Sequence, residues 1–71
     1  MKYTIGKSRD KDDFDNGNYL PSDGGTYTAE RAIEILESGN GGTMTDERGR
    51  GYIVNYDKSQ NQWLRDLLKI K

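Results

Sequence analysis

Apolar residues fall along this chain in three different rhythms. In "MKYTIGK", Tyr3 and Ile5 alternate with Lys2, Thr4 and Gly6, the period of a short strand with one buried face. From Gly6 to Thr26 the rhythm stops, and only Phe14, Tyr19 and Leu20 interrupt a run of Asp, Asn, Ser and Gly. Polarity of this kind predicts an irregular or mobile segment over Arg9–Asp23. Within it, "FDNGNY" sets Asn16-Gly17 between two aromatics, a dipeptide suited to a type I′ hairpin, so hairpin and irregular loop both stay open. The helical rhythm follows in "TYTAERAIEILESGN". Ala29, Ala32, Ile33 and Leu36 fall at i, i+3, i+4 and i+7, and Ile35 widens the stripe. Thr28 is the expected N-cap, Glu30 suits the first turn, and Gly39 is placed to close the helix in the left-handed conformation. The helix is therefore predicted over 29–38, with Glu30, Glu34 and Glu37 outward.

Alternation returns after the helix. "TMTDE" and "GYIVNYD" read as two strands around "ERGRG", with Gly49 or Gly51 at the left-handed position of the turn. Tyr52, Val54 and Tyr56 share one face of the second strand, and Ile53 and Asn55 the other. The ending is ambiguous. Ser59 and Gln62 match a capping box, and Leu64, Leu67 and Leu68 recur at helical spacing, predicting a short helix. Alternatively "YDKSQNQW" turns as a hairpin and Trp63 opens a last strand. The order of elements predicts an α+β fold: a small antiparallel β-sheet of three to four strands with one α-helix packed across it. Residues 1–71 form one domain, with a polar loop at about 8–26, and Trp63 is expected to anchor its core.

Composition sharpens this picture. Only 31% of the 71 residues are hydrophobic, and five are tyrosines, whose hydroxyls need water or a partner. A core this small predicts marginal stability or help from a binding partner, homo-oligomers included. Eleven basic residues face twelve acidic ones, which disfavours a sequence-independent DNA binder and a DNA mimic alike. No apolar run approaches membrane-spanning length and "MKYTIGKSRD" lacks a signal-peptide core, so a cytoplasmic protein without membrane association is expected.

Candidate chemistry is sparse. "GNGGTMTDERGRGY" looks at first like a phosphate cradle, but such cradles open a helix, whereas these glycines follow one and no Gly-Lys-Ser/Thr is present. In "RDKDDFDNGN", Asp12 and Asn16 fit calcium-loop positions, but Phe14 stands where a third oxygen ligand belongs, leaving a solvated acidic loop as the expectation. With neither His nor Cys, the imidazole- and thiolate-based nucleophile systems are absent; no enzyme activity, no metal and no cofactor are expected. The candidate binding residues are Arg48, Arg50, Tyr52 and Tyr56, arginines at a hairpin tip beside aromatics, with Asp46 and Glu47 weakening the local positive field.

The run "TYTAERAIEILESGNGGTMTDERGRGYIVNYDKSQNQW" resembles small phage-encoded proteins, some anti-CRISPR proteins among them. The resemblance rests on Thr28, Ala32, Ile35, Gly42, Thr43, Met44, Tyr52, Tyr56 and Trp63, in a capped helix, a Gly-Thr-Met strand and a hairpin ending near tryptophan. It implies a non-enzymatic inhibitor that sterically blocks a host protein or nucleoprotein complex, in the host cytoplasm. Two alternatives remain: an RNA- or single-stranded-DNA-binding module using Arg48, Arg50 and the tyrosines, and an oligomeric structural or assembly protein.

Overall fold

Side-chain alternation sets the layers of the molecule. The computed structural model describes residues 1–70 and contains β1 (Tyr3–Lys7), α1 (Lys11–Asp15), α2 (Ala29–Ser38), β2 (Gly42–Asp46), β3 (Gly51–Val54), a 3-10 turn (Lys58–Asn61) and α3 (Gln62–Leu67). The sheet is antiparallel, in the order β1-β2-β3. Ile5 lies opposite Met44, Met44 opposite Tyr52, and Gly42 opposite Val54, so these residues share one face. On that face α2 lays Ala32, Ile33 and Leu36, and Leu64 of α3 completes the core with Tyr3, Ile5, Met44 and Val54. The expected α+β class holds, with three strands and a helical ending.

The long helix forms as its stripe and cap predict. Thr28 Oγ1 accepts the Arg31 amide at 3.3 Å, and the outward Arg31 and Glu34 pair on the solvent face. Gly39, however, has φ −105°, and the left-handed glycine is Gly41, at φ 75°. The Gly39 and Gly41 amides both donate to the Leu36 carbonyl, so the chain leaves the helix over three residues rather than one. Close approach then demands glycine at position 42: a Cβ there would lie 2.1 Å from the Gly6 carbonyl oxygen and 3.1 Å from Leu36 Cδ2.

The polar stretch departs from expectation. Asn16-Gly17 makes no hairpin; it ends a helix. Asp10 Oδ1 caps α1 by accepting the Asp13 amide at 2.7 Å. At the other end the Gly17 amide donates to Phe14 and the Asn18 amide to Asp13, a Schellman closure with Gly17 at φ 77°. Positive φ serves a type I′ turn and a helix end equally, which is why the dipeptide misdirects. Phe14 is buried against the Tyr19 and Tyr56 rings, with centroids 6.0 and 5.3 Å away. Farther on, the stretch covers the outer edge of β1: Tyr3 and Tyr27 exchange two backbone hydrogen bonds of 2.9 Å, and the Leu20 amide donates to Lys7.

The ending is helical but capped differently. Asp57, not Ser59, accepts at the start, taking the Ser59 amide and hydroxyl on Oδ1, and α3 begins only after a 3-10 turn. Trp63 is 51% exposed, and Leu64 takes the core position expected of it. The reason is helical phase. Asn61, Leu64 and Leu68 face inward, and Trp63 and Leu67, one turn apart, lie about 100° away.

One side chain joins this last layer to the rest. Asn61 is fully buried; its Oδ1 accepts the Asn55 amide at 2.8 Å, and Nδ2 donates to the Asn55 carbonyl at 2.8 Å and to Glu37 Oε2 at 2.9 Å. The second Glu37 oxygen accepts from Arg65 at 2.6 Å. Burial raises the Glu37 pKa, but the Arg65 and Asn61 hydrogen bonds overcome it and hold the carboxyl below the ordinary glutamate value.

Leu36→Ala should cost about 2–5 kcal/mol in urea unfolding, whereas Glu34→Ala on the exposed face should change stability by no more than about 0.5 kcal/mol. Equal effects would mean that the buried face is misassigned. The Glu37 carboxylate contributes stability above its unfolded pKa and loses it as pH falls through the depressed folded value. Glu37→Gln should therefore lower the melting temperature at neutral pH, and the gap to wild type should close in acid. A gap independent of pH would exclude the charge as its source.

Candidate functional site

The tip between β2 and β3 is built before its arginines are considered. Asp46 is buried at the end of β2, and its Oδ1 accepts the amides of both Arg48 and Arg50 at 2.9 Å. The Gly49 amide donates to the Asp46 carbonyl, and Gly49 takes φ 87°, the left-handed position expected of Gly49 or Gly51. Glu47 accepts the Lys2 backbone amide at 2.7 Å. The two acids beside the arginines thus each serve the backbone with one oxygen while keeping their charge. Neither pairs with an arginine, because the turn's amides need an acceptor more than the exposed guanidinium groups do.

Beside this tip runs a groove of about 500 Å³ between the hairpin and the C-terminal end of α3. Arg48, Arg50 and Lys69 bring three cationic side chains to it, and among the described residues Asp46 is the one carboxylate there. Among the described residues, none of these cations takes part in an ion pair; the three ion pairs present use Arg9, Arg31 and Arg65. The apolar lining comes from Met1, Tyr3, Tyr52, Leu67 and Leu68. The Arg50 guanidinium lies 5.4 Å over the Tyr52 ring, which meets Tyr3 edge-on at 6.4 Å. Burial, reinforced by Tyr52 and Asp46, pushes the Tyr3 phenol above its ordinary pKa.

The structure therefore brings Arg48, Arg50 and Tyr52 together but not Tyr56. Tyr56 lies beyond the other end of β3, against Phe14, with the Lys11 ammonium 5.0 Å over its ring. Asp12 stands in the first turn of α1 and Asn16 at its C-cap, and among the described residues no group of three His, Cys, Asp or Glu side chains is placed to hold a metal. No helix among them is long and apolar enough to cross a membrane.

Sequence reading missed Tyr3, Leu67, Leu68 and Lys69 at this site. A signal was present: "WLRDLLKIK" carries two apolar pairs at i, i+4, Leu64/Leu68 and Trp63/Leu67, and a two-layer domain can bury only one. Trp63 and Leu67 are consequently about half exposed, and Leu67 lines the groove. Lys69 is set by the closure of α3, where its own amide donates to Asp66 and the Ile70 amide to Arg65. This is the Schellman pattern of α1 again, with lysine at φ 57° where α1 has glycine.

Comparison with known protein families, with curated proteins and with solved structures finds no match to this chain.

Lysine in the left-handed region costs free energy that glycine does not. Lys69→Gly should accordingly stabilise the fold by about 0.5–1 kcal/mol in chemical denaturation, the gain tempered by glycine's unfolded-state entropy. Destabilisation by a similar amount would mean that the lysine side chain makes up for its backbone through packing.

Proposed function

We propose that this protein is a small non-enzymatic interaction protein that binds a host protein or nucleoprotein complex through its hairpin end and blocks it sterically. It would act in the manner of the phage-encoded, anti-CRISPR-type inhibitors that its helix–hairpin run resembles. The observation that carries this reading is the groove surface: Arg48 and Arg50, neither in an ion pair among the described residues, with Tyr52 and the half-exposed Leu67, and Trp63 exposed one helical turn from Leu67. Arginine, tyrosine and tryptophan dominate binding hot spots, and a tip already fixed by Asp46 loses little freedom on docking. The absence of His and Cys supports a binding role over catalysis. Direct binding of RNA or single-stranded DNA is the less favoured reading, because Tyr56 is removed from the arginines and one face of Tyr52 carries Arg50.

Self-association has one observation of its own. β3 carries no charged residue and no proline, and Ile53 on it is 54% exposed, so two of the usual guards of a sheet edge are absent. A sedimentation measurement showing a dimer lost in Ile53→Lys would support that reading.

The inhibitor reading is tested by pull-down from nuclease-treated bacterial lysate, followed by assay of the captured partner. Wild type should retain one protein or ribonucleoprotein partner and inhibit it at about stoichiometric amounts, and Arg48→Glu/Arg50→Glu should do neither while keeping its circular dichroism and melting curve. Capture that disappears with nuclease, or binding unaffected by the double substitution, would overturn it.

A further inference from the structure

We infer that the groove between the β2–β3 hairpin and the end of α3 receives an acidic segment of the partner protein, in which carboxylates flank one large apolar side chain. This rests on the interaction reading above and specifies the chemistry of the partner.

Charge gives the first half of the specification. Arg48, Arg50 and Lys69 line one hollow, and among the described residues none has an ionic partner. Asp46, the only acid lining it among the described residues, has Oδ1 committed to two backbone amides. The chain as a whole carries −1, so the positive field here is local and favours an anionic ligand of limited length over an extended polyanion. Guanidinium groups present forked donors that match a carboxylate two bonds at a time.

The apolar lining gives the second half. Leu67 is 52% exposed in a domain with few large apolar residues, and Leu68 and Tyr52 stand half-buried beside it. A simple anion would leave this surface wet, whereas a Leu, Ile, Phe or Trp side chain between carboxylates would cover it. A nucleobase fits less well, because bases stack on open ring faces. Here Arg50 occupies one face of Tyr52, and Tyr3 is buried at 5% exposure.

Lys69 adds an independent handle. Its backbone sits at φ 57° where glycine would be relaxed, so the position holds a cation beside the groove at a cost to the fold. A fold requirement and a binding requirement therefore pull this residue in opposite directions.

The test is selection from a random-peptide display library on the full chain, followed by anisotropy titration of the best fluorescent peptide. Enriched sequences should carry two or more Asp or Glu within a few residues of one Leu, Ile, Phe or Trp. Affinity should fall about tenfold or more in Arg48→Glu/Arg50→Glu and severalfold in Leu67→Ser. It should also fall in Lys69→Gly, which leaves the fold no less stable and so separates binding from folding. If the charge reversal unfolds the chain, Arg48→Gln/Arg50→Gln takes its place. Basic or uncharged consensus sequences, absence of enrichment, or equal affinity in the arginine variants would overturn the inference, as would an oligo-dT probe that outcompetes the peptide. A partner captured through the hairpin in the lysate experiment alongside a basic peptide consensus would sink this inference alone. A capture insensitive to the arginines would sink the interaction reading as well.

Discussion

The fold hangs on one amide. Asn61 presents to Asn55 the same acceptor and donor that a neighbouring strand would, and its remaining N–H goes to Glu37. Asn61 itself is fully buried, and a bond it failed to make there would cost about 1–3 kcal/mol. An apolar residue of similar size could fill the space, but it would leave the Asn55 amide and carbonyl unpaired. The side chain thus fixes where α3 begins, how far the last layer stands from the sheet, and which face of α3 turns inward. Leu64 reaches the core because Asn61 has already set the phase of the helix.

From that phase the surface follows. With Asn61, Leu64 and Leu68 inward, Trp63 and Leu67 have no layer to cover them, and the end of the helix comes to rest beside the β2–β3 tip. Glu37 and Arg65 reinforce the arrangement from the α2 side, pairing across the joint with little solvent access. The exposed apolar strip and the groove are therefore consequences of how the core is closed. A domain this small seats its last helix by polar pairing and leaves apolar surface outside.

The parts legible in sequence are those where one periodicity admits one structure. Ala32, Ile33 and Leu36 could only be a buried helical stripe, and Tyr3/Ile5 and Met44 alternate as inward strand positions. The illegible parts are those where one local signal serves two structures. Asn16-Gly17 fits a hairpin and a helix end alike, and choosing between them depends on Phe14 finding Tyr56 across the fold. Trp63 and Leu64 are adjacent and both apolar, and what decides between them is Asn61, a polar residue whose partners lie 6 and 24 positions away. At the site, Arg48, Arg50 and Tyr52 were legible as neighbours on a hairpin, whereas Tyr3, Leu67 and Lys69 arrive from the two ends of the chain.

The two acids at the tip show that a segment's net charge does not report which of its groups are free to bind. Counted along the chain, Asp46 and Glu47 offset Arg48 and Arg50, and the segment reads as neutral. In the fold, carboxylate oxygens of both acids accept backbone amides, from Arg48 and Arg50 in one case and from Lys2 in the other. Their charge remains, but one oxygen of each is turned to the backbone, while the guanidinium groups keep their donors for an external acceptor. Recognition of a carboxylate depends on aligned donors at short range, since screening weakens charge beyond about 10 Å. The hairpin therefore offers a ligand more than its net charge suggests, and it does so because a tight turn needed an acceptor and recruited Asp46.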